Sequence, residues 1–375
     1  MARPVYILGC GSYLPGPPIP FESLGSVLGE LPGAPPALQR WMREMTPLLR
    51  DLLDIRFVHY ALDPATRRFT DDNITMSVKS AQAALRHAGL EAGDVDLICY
   101  GSAHQDQMPT ASVRIQEALG IESCREFSIH ANCTSAYKAM ALAYELIRAG
   151  RAETALVASA SISSSELCAE YYNQALVDKE SLFLRWFLCD GAGAAILSAR
   201  PPPGARFEVE TVYTESVGGA KPSLMYNLRP AYWMNPREEY EQGRHHLRQA
   251  FRNALSTEVF QEAGGSVFFN GLRRMLRQAD VPAERIRFFQ INLPARHIVE
   301  SVQEECRSLG IPDSALYTRL DELGYCGPPM VFICLDRILA EERFQPGDRV
   351  VSFVTEVSKF MQAGYSLRYD GPGPS

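Results

Sequence analysis

The distribution of apolar and polar positions predicts strands at 4–10, 95–101, 126–132, 154–160 and 192–198. Helical spacing predicts helices near 74–89, 110–119 and 134–149. This alternation points to a mostly parallel sheet covered by helices. Pro201-Pro202-Pro203-Gly204 follows and is the best boundary between an N-terminal half, 1–200, and a C-terminal half, 201–375. The second half repeats the rhythm. A strand at 206–213 leads to helices at 244–263 and 265–279, a strand at 287–292, helices at 295–308 and 328–342, and strands at 349–355 and 363–369. Two halves with one order of elements suggest an internal duplication. Segments 15–50 and 214–243, rich in Pro, Trp and Tyr, fit this rhythm poorly. They read as excursions that build a substrate channel or a dimer face, or as plain surface loop.

One turn between a strand and a helix carries chemistry. In Glu126-Phe127-Ser128-Ile129-His130-Ala131-Asn132-Cys133-Thr134-Ser135, apolar residues alternate up to the cysteine. Beyond it Ala136, Met140, Ala143 and Ile147 recur at helical spacing and stop at Gly150. A cysteine at that elbow has the free N–H groups of a helix start beside its sulfur. Their partial positive charge favours thiolate and so a nucleophile. The alternative for any cysteine is burial in a core.

Composition narrows the classes. Hydrophobic residues at 46% and charged residues at 22% suit a soluble globular chain with a sizeable core. A net charge of −7 argues against nucleic-acid binding, which needs a basic face. The nine cysteines form no CxxC pair, so neither a metal site nor a disulfide framework is expected. No apolar run approaches the roughly 18 residues that span a membrane, and the start of the chain enters a strand directly. A cytoplasmic location with free thiols is the simplest expectation.

Four segments in order resemble the ketoacyl-ACP synthase III group of the thiolase superfamily. They are the cysteine elbow, Asp54-Ile55-Arg56, Met108-Pro109-Thr110 before a helix ending at Leu119-Gly120-Ile121, and Phe187-Leu188-Cys189-Asp190-Gly191-Ala192-Gly193-Ala194-Ala195-Ile196-Leu197. The resemblance implies an α/β thiolase-like fold, two duplicated βαβ halves in a five-layered α/β/α/β/α arrangement, normally a homodimer. It implies Cys133 as the acyl carrier. Coenzyme A or the phosphopantetheine of an acyl carrier protein would be the donor, with Arg56 helping to hold its arm and no permanently bound cofactor. It also implies that the loop at Met108 crosses the dimer and closes the partner's acyl pocket.

The departures shape the expected chemistry. The family's histidine, just after a strand in the second half, falls on Asn292 or on Ala295 according to which flank is aligned. Its asparagine falls on Tyr325, and its glycine-rich C-terminal loop on Glu356-Val357-Ser358-Lys359-Phe360. In the family these two groups hydrogen-bond the enolate formed as malonyl thioester loses carbon dioxide. Each such donor contributes about 2.7–4 kcal/mol. Without them, decarboxylative condensation should be slow while acyl loading survives. An acyltransferase in polyketide or other specialised acyl metabolism is therefore the leading expectation. A condensing enzyme with relocated acid–base groups and a weakly catalytic partner subunit of a heterodimer are the alternatives. The base for a second step is sought among His297, one helical turn from the lost histidine, His130, Tyr325 and Glu356. Tyr325 could also donate to an oxyanion. His245 and His246 read as solvated on a charged helix, and Arg40 and Arg43 as further partners for the donor's phosphates.

Overall fold

The computed structural model describes residues 2–104, 108–227, 235–254, 257–293, 295–341 and 343–372. Ten strands form the main sheet. They are β1 (Tyr6–Tyr13), β2 (Leu97–Ser102), β3 (Arg125–His130), β4 (Thr154–Ile162), β5 (Asp190–Ser198), β6 (Ala205–Ser216), β7 (Ile286–Ile291), β8 (Leu316–Tyr317), β9 (Arg349–Glu356) and β10 (Met361–Pro372). Seven helices accompany them. They are α1 (Pro36–Leu53), α2 (Asn73–Ala88), α3 (Ala111–Leu119), α4 (Ser135–Arg148), α5 (Val267–Gln278), α6 (Arg296–Ser308) and α7 (Met330–Glu341). Shorter pieces are named by residue.

Across the sheet the order is β8-β7-β9-β10-β6-β1-β5-β4-β2-β3. Read outward from the β1–β6 seam, each half places its first strand, then its fifth, fourth, second and third. The seam is one antiparallel contact, Tyr6 opposite Glu208 and Ile7 opposite Phe207. The sheet is mixed rather than mostly parallel. β2 pairs in parallel with β3 and β4, and β7 with β8 and β9, whereas the five other pairings are antiparallel. The reason is that the fourth strand of each half is followed by a fifth without a covering crossover helix, and only such a crossover makes neighbours parallel.

Five layers result, the thiolase-like arrangement. α2 and α3 cover the outside of the first half, and α5 with α6 the outside of the second. Between them, α4 touches β2 and β4 on one side and β6 and β10 on the other, while α7 touches β1, β5 and β7. The largest core fills this middle layer, with Ala136, Met140, Ala143 and Ile147 of α4 fully buried beside Val331, Phe332 and Leu335 of α7. That apolar stripe is the one the sequence pattern showed. α2 starts from a reciprocal cap in which Asp72 and Thr75 each satisfy the other's backbone N–H. No helix among the described residues is long and apolar enough to cross a membrane.

Segment 15–50 is not the plain surface loop of one reading, and one further expectation fails. Pro36 opens the eighteen-residue helix α1, on which Trp41, Met45, Leu49 and Leu53 recur every four residues despite Pro47 in its interior. Residues 244–263 are not a helix. Arg248–Gln249 pair as an extended segment with Met225–Tyr226, Ala250 donates to the Leu224 carbonyl at 2.7 Å, and only Phe251–Ala254 and Thr257–Phe260 are helical turns. The backbone is extended because tertiary partners claim it. Residues 228–234, within segment 214–243, residues 255–256, within 244–263, and Glu342, at the end of the last expected helix, lie outside the described residues.

Candidate active site

Cys133 lies between β3 and α4, where the sequence places it, at the C-terminal edge of the parallel strands β2, β3 and β4. Open α/β sheets put their ligands at this edge. The turn closes with Ser135 donating to the Asn132 carbonyl at 2.9 Å. It packs so tightly on β2 that a Cβ on Gly101 would overlap the Ser135 carbonyl.

The electrostatics at the sulfur run against the expected thiolate. Glu356 at the end of β9 is 1% exposed and accepts the Thr134 N–H at 2.9 Å and the Thr134 hydroxyl at 2.6 Å. The Ser358 hydroxyl donates to its other oxygen. A buried carboxylate therefore covers the helix start that should have favoured negative sulfur. Burial first, and the Glu356 charge second, push the Cys133 thiol up to about 12, while the hydrogen bond from Tyr325 works the other way. Glu356 is bound to Thr134 and Ser358, as a cap on the nucleophile's helix.

Tyr325 reaches the sulfur. Its phenol donates to Cys133 Sγ at 3.3 Å, and the residue is 4% exposed. The Asp190-Gly191-Ala192-Gly193 region holds it there. Leu188 bridges Tyr325, and the Cys189 N–H donates to the Tyr325 carbonyl at 3.1 Å. Asp190 itself ties the Ala61 N–H, at 2.8 Å, to the Ser164 N–H, at 2.9 Å, and is a structural clamp. Both positions that align with the family's histidine line the cavity beside Cys133. Asn292 is buried with neither its carboxamide nitrogen nor its oxygen hydrogen-bonded among the described residues, while Ala295 presents only a methyl group. A carboxamide can donate to a carbonyl but cannot take up a proton at neutral pH.

The other predicted residues are spread out. His130 is exposed and lines the cavity. His297 is also exposed and lies at the start of α6, its Nδ1 3.4 Å from the Leu52 carbonyl of α1. Beside it Arg296 pairs with Asp54 at 3.2 Å, so α1 and α6 are joined at the cavity's edge. The structure thus places His297 on α1 rather than on the sulfur. Arg56, Arg40 and Arg43 are exposed. His245 and His246 are buried, contrary to expectation. His245 Nε2 lies 2.8 Å from the Tyr171 carbonyl, and His246 Nε2 accepts the Asn173 N–H at 3.1 Å. Burial holds His246 down at about 4. These contacts anchor the extended stretch that replaces the expected helix.

Sequence reasoning missed a second polar group in the same cavity. His104, just past β2, has Nε2 3.5 Å from Glu166 Oε2 on the short helix Ser164–Leu167 after β4. Ser161, Ser163 and Ser165 line the cavity around them. Nothing in the sequence links residues 62 positions apart; only the adjacency of β2 and β4 does. The cavity measures about 1410 Å³.

Residues 127–216, which carry the elbow and the Asp190 segment, match the family described as 3-oxoacyl-[acyl-carrier-protein (ACP)] synthase III. A beta-ketoacyl-[acyl-carrier-protein] synthase III of Rhodospirillum centenum is 28% identical over 349 residues, 92% of this chain and 93% of that protein. Its namesake in Rhodospirillum rubrum is 34% identical over 203 residues, 53% of this chain and 52% of that one. Among solved structures, AbyA1, a tetronic acid condensing enzyme, superposes with a TM-score of 0.78 at 22% identity, covering 97% of this chain and 99% of its own. FabH, the 3-oxoacyl-(acyl carrier protein) synthase III of Pseudomonas aeruginosa PAO1, gives 0.73 at 20% identity, covering 99% and 100%. The structural likenesses speak for the fold, and the sequence relatives for the kind of protein. With its cysteine elbow kept and the histidine and asparagine positions changed, the chain is similar to the ketoacyl-ACP synthase III enzymes, and these matches support a ketoacyl-ACP synthase III-like protein.

Proposed function

We propose that this enzyme is an acyltransferase whose Cys133 takes an acyl group from acyl-CoA or an acyl carrier protein and passes it to a second nucleophile. The observation that carries this reading is the cavity around Cys133. A nucleophile and a phenol donor are there, but Asn292 and Ala295 stand where a decarboxylating enzyme needs an imidazole. In the first step Cys133 sulfur attacks the thioester carbonyl and the carbon–sulfur bond to the carrier breaks. The proton lost by Cys133 leaves with the departing thiol, so the exchange is balanced. Tyr325 and the Asn292 carboxamide are the donors within reach of the acyl oxygen. In the second step an alcohol, amine, thiol or activated carbon attacks the acyl-Cys133 thioester. Its proton passes to the His104–Glu166 pair, the carbon–sulfur bond to Cys133 breaks, and the pair returns that proton to the released sulfur, restoring the thiol.

The same pair supports a second reading, a condensing enzyme whose acid–base group has moved from α6 to the β2–β4 edge. The names of the sequence relatives favour it. Incubation with acyl-CoA and with malonyl-CoA, followed by intact mass and carbon dioxide release, separates the two. Stable acylation lost in Cys133→Ala, with no enzymatic decarboxylation, supports acyl transfer. Decarboxylation at about 1–1000 per second supports condensation instead. We further propose a homodimer, for which Met108, 97% exposed beside the edge strand β3, supplies an unpartnered apolar side chain.

A further inference from the structure

We propose that the acyl group carried by Cys133 is a long aliphatic chain of roughly ten carbons or more, a proposal that rests on Cys133 being the acyl carrier. The first ground is size. The cavity that reaches Cys133 holds about 1410 Å³, whereas small-molecule sites usually measure about 300–1,000 Å³. At roughly the 30 Å³ that liquid water gives one molecule, a methylene being of similar bulk, a twelve-carbon chain needs about 360 Å³. A pantetheine arm of some twenty heavy atoms needs about 600 Å³ on the same basis, and the cavity contains both. An acetyl group would leave most of that space to water against apolar walls.

The second ground is what those walls are. Trp41 and Met45 of α1, Phe183 and Phe187, Phe251 and Phe268 face the cavity. They are fixed by edge-on ring contacts rather than left loose. Trp41 meets Trp186 at 5.1 Å, Phe183 meets Phe187 at 5.5 Å and Phe251 at 5.2 Å, and Phe268 meets Phe353 at 5.3 Å. Interlocked rings of this kind keep a cavity open because no one of them can collapse inward without losing its partner.

The third ground is how the far wall is held. Leu247 and Phe251 come from the segment that abandons a helix, and Leu224 and Met225 from the stretch against which Arg248–Gln249 pair. Polar contacts support that segment from behind, buried His245 on the Tyr171 carbonyl and Arg248 on the partly exposed Asp178. His104 and Glu166 form a polar pair past the ends of β2 and β4, and Asn227, Gln249, Ser266 and Glu305 are polar positions elsewhere on the walls. The surface open to a chain is the apolar one made by Trp41, Met45, Phe183, Phe187 and Phe251.

The test is the rate of Cys133 acylation by acetyl-, hexanoyl-, decanoyl- and tetradecanoyl-CoA, followed by intact mass. Burying a methylene increases the specificity constant up to about fourfold, so decanoyl-CoA should react at least a hundredfold faster than acetyl-CoA. Met45→Trp and Met225→Trp, both at half-buried wall positions, should cut the tetradecanoyl rate more than tenfold and the hexanoyl rate at least several times less than that. Calorimetric binding of the same four thioesters to the Cys133→Ala protein gives a readout that needs no acylation, and affinity should rise with length. If no thioester labels Cys133, the acyl-carrier reading falls, and the binding series still decides the chain class. Acetyl-CoA reacting or binding as well as decanoyl-CoA, or long chains indifferent to both tryptophans, would overturn the proposal.

Discussion

Replacing Glu356 with glutamine should make Cys133 more reactive, not less. The glutamine keeps the size of the side chain, can still accept from Thr134 through its oxygen, and removes only the negative charge. With the thiol at about 12, roughly three sulfurs in 100,000 are thiolate at pH 7.5, against about one in ten for an ordinary cysteine near 8.5. Each unit by which the thiol falls yields about ten times more thiolate. The thiolate's own nucleophilicity drops about threefold over the same unit, so the net gain is about three- to fourfold. The assay is iodoacetamide labelling read by peptide mapping, with half-buried Cys124 on the same molecule as internal reference. In the wild type, Cys133 labelling should rise about tenfold per pH unit from 7 to 10 without levelling off, because the nucleophilic form accumulates only as pH approaches 12. In Glu356→Gln the whole line should shift upward by about three- to tenfold. A wild-type rate that levels off between pH 8 and 9, or a variant no faster than wild type with an unchanged fold, would refute the reasoning.

Tyr325→Phe removes the bond that favours negative sulfur, so Cys133 should rise further and acylate about tenfold more slowly, measured by intact mass against time. His104→Asn should leave acylation of Cys133 within twofold and slow transfer from the acyl-enzyme by about 10²–10⁴, the usual contribution of a positioned base. His297→Ala, at the α1 contact, should change neither step by more than about threefold in single-turnover kinetics, since a general base must come within hydrogen-bond reach of the reacting proton. Gly101→Ala forces a methyl group into the Ser135 carbonyl, so thermal unfolding should show a loss of about 1–3 kcal/mol together with lost acylation.

The fold was legible where burial is periodic. The stripe Ala136, Met140, Ala143 and Ile147 and the strands on both sides of Pro201 appear within a few residues of where the pattern puts them. α1 was hidden by prolines, one of which is harmless at a helix start and one of which the helix tolerates. The extended stretch at 248–249 was hidden because its contacts, Leu224, Met225 and Tyr171, are distant in sequence. The same holds for the site. Cys133 is readable from its own neighbours, and Tyr325 from its offset against the family pattern. The character of the sulfur, however, depends on Glu356, and the His104–Glu166 pair depends on strand order, neither of which is a local property.

The bonds to the elbow also impose a schedule. Cys133 emerges from the ribosome long before the residues that govern it, since Tyr325 follows by 192 positions and the Glu356 that binds Thr134 comes 222 after that threonine. Until β9 is made, the helix start beside the sulfur is bare and its N–H groups favour thiolate. An elbow that formed before β9 would carry a more reactive cysteine than the finished protein, and docking of β9 with its Glu356 would quench it. A ribosome stalled before residue 356 would display a thiol open to oxidation and stray acylation, so synthesis of the C-terminal half is also the step that makes this nucleophile safe to store.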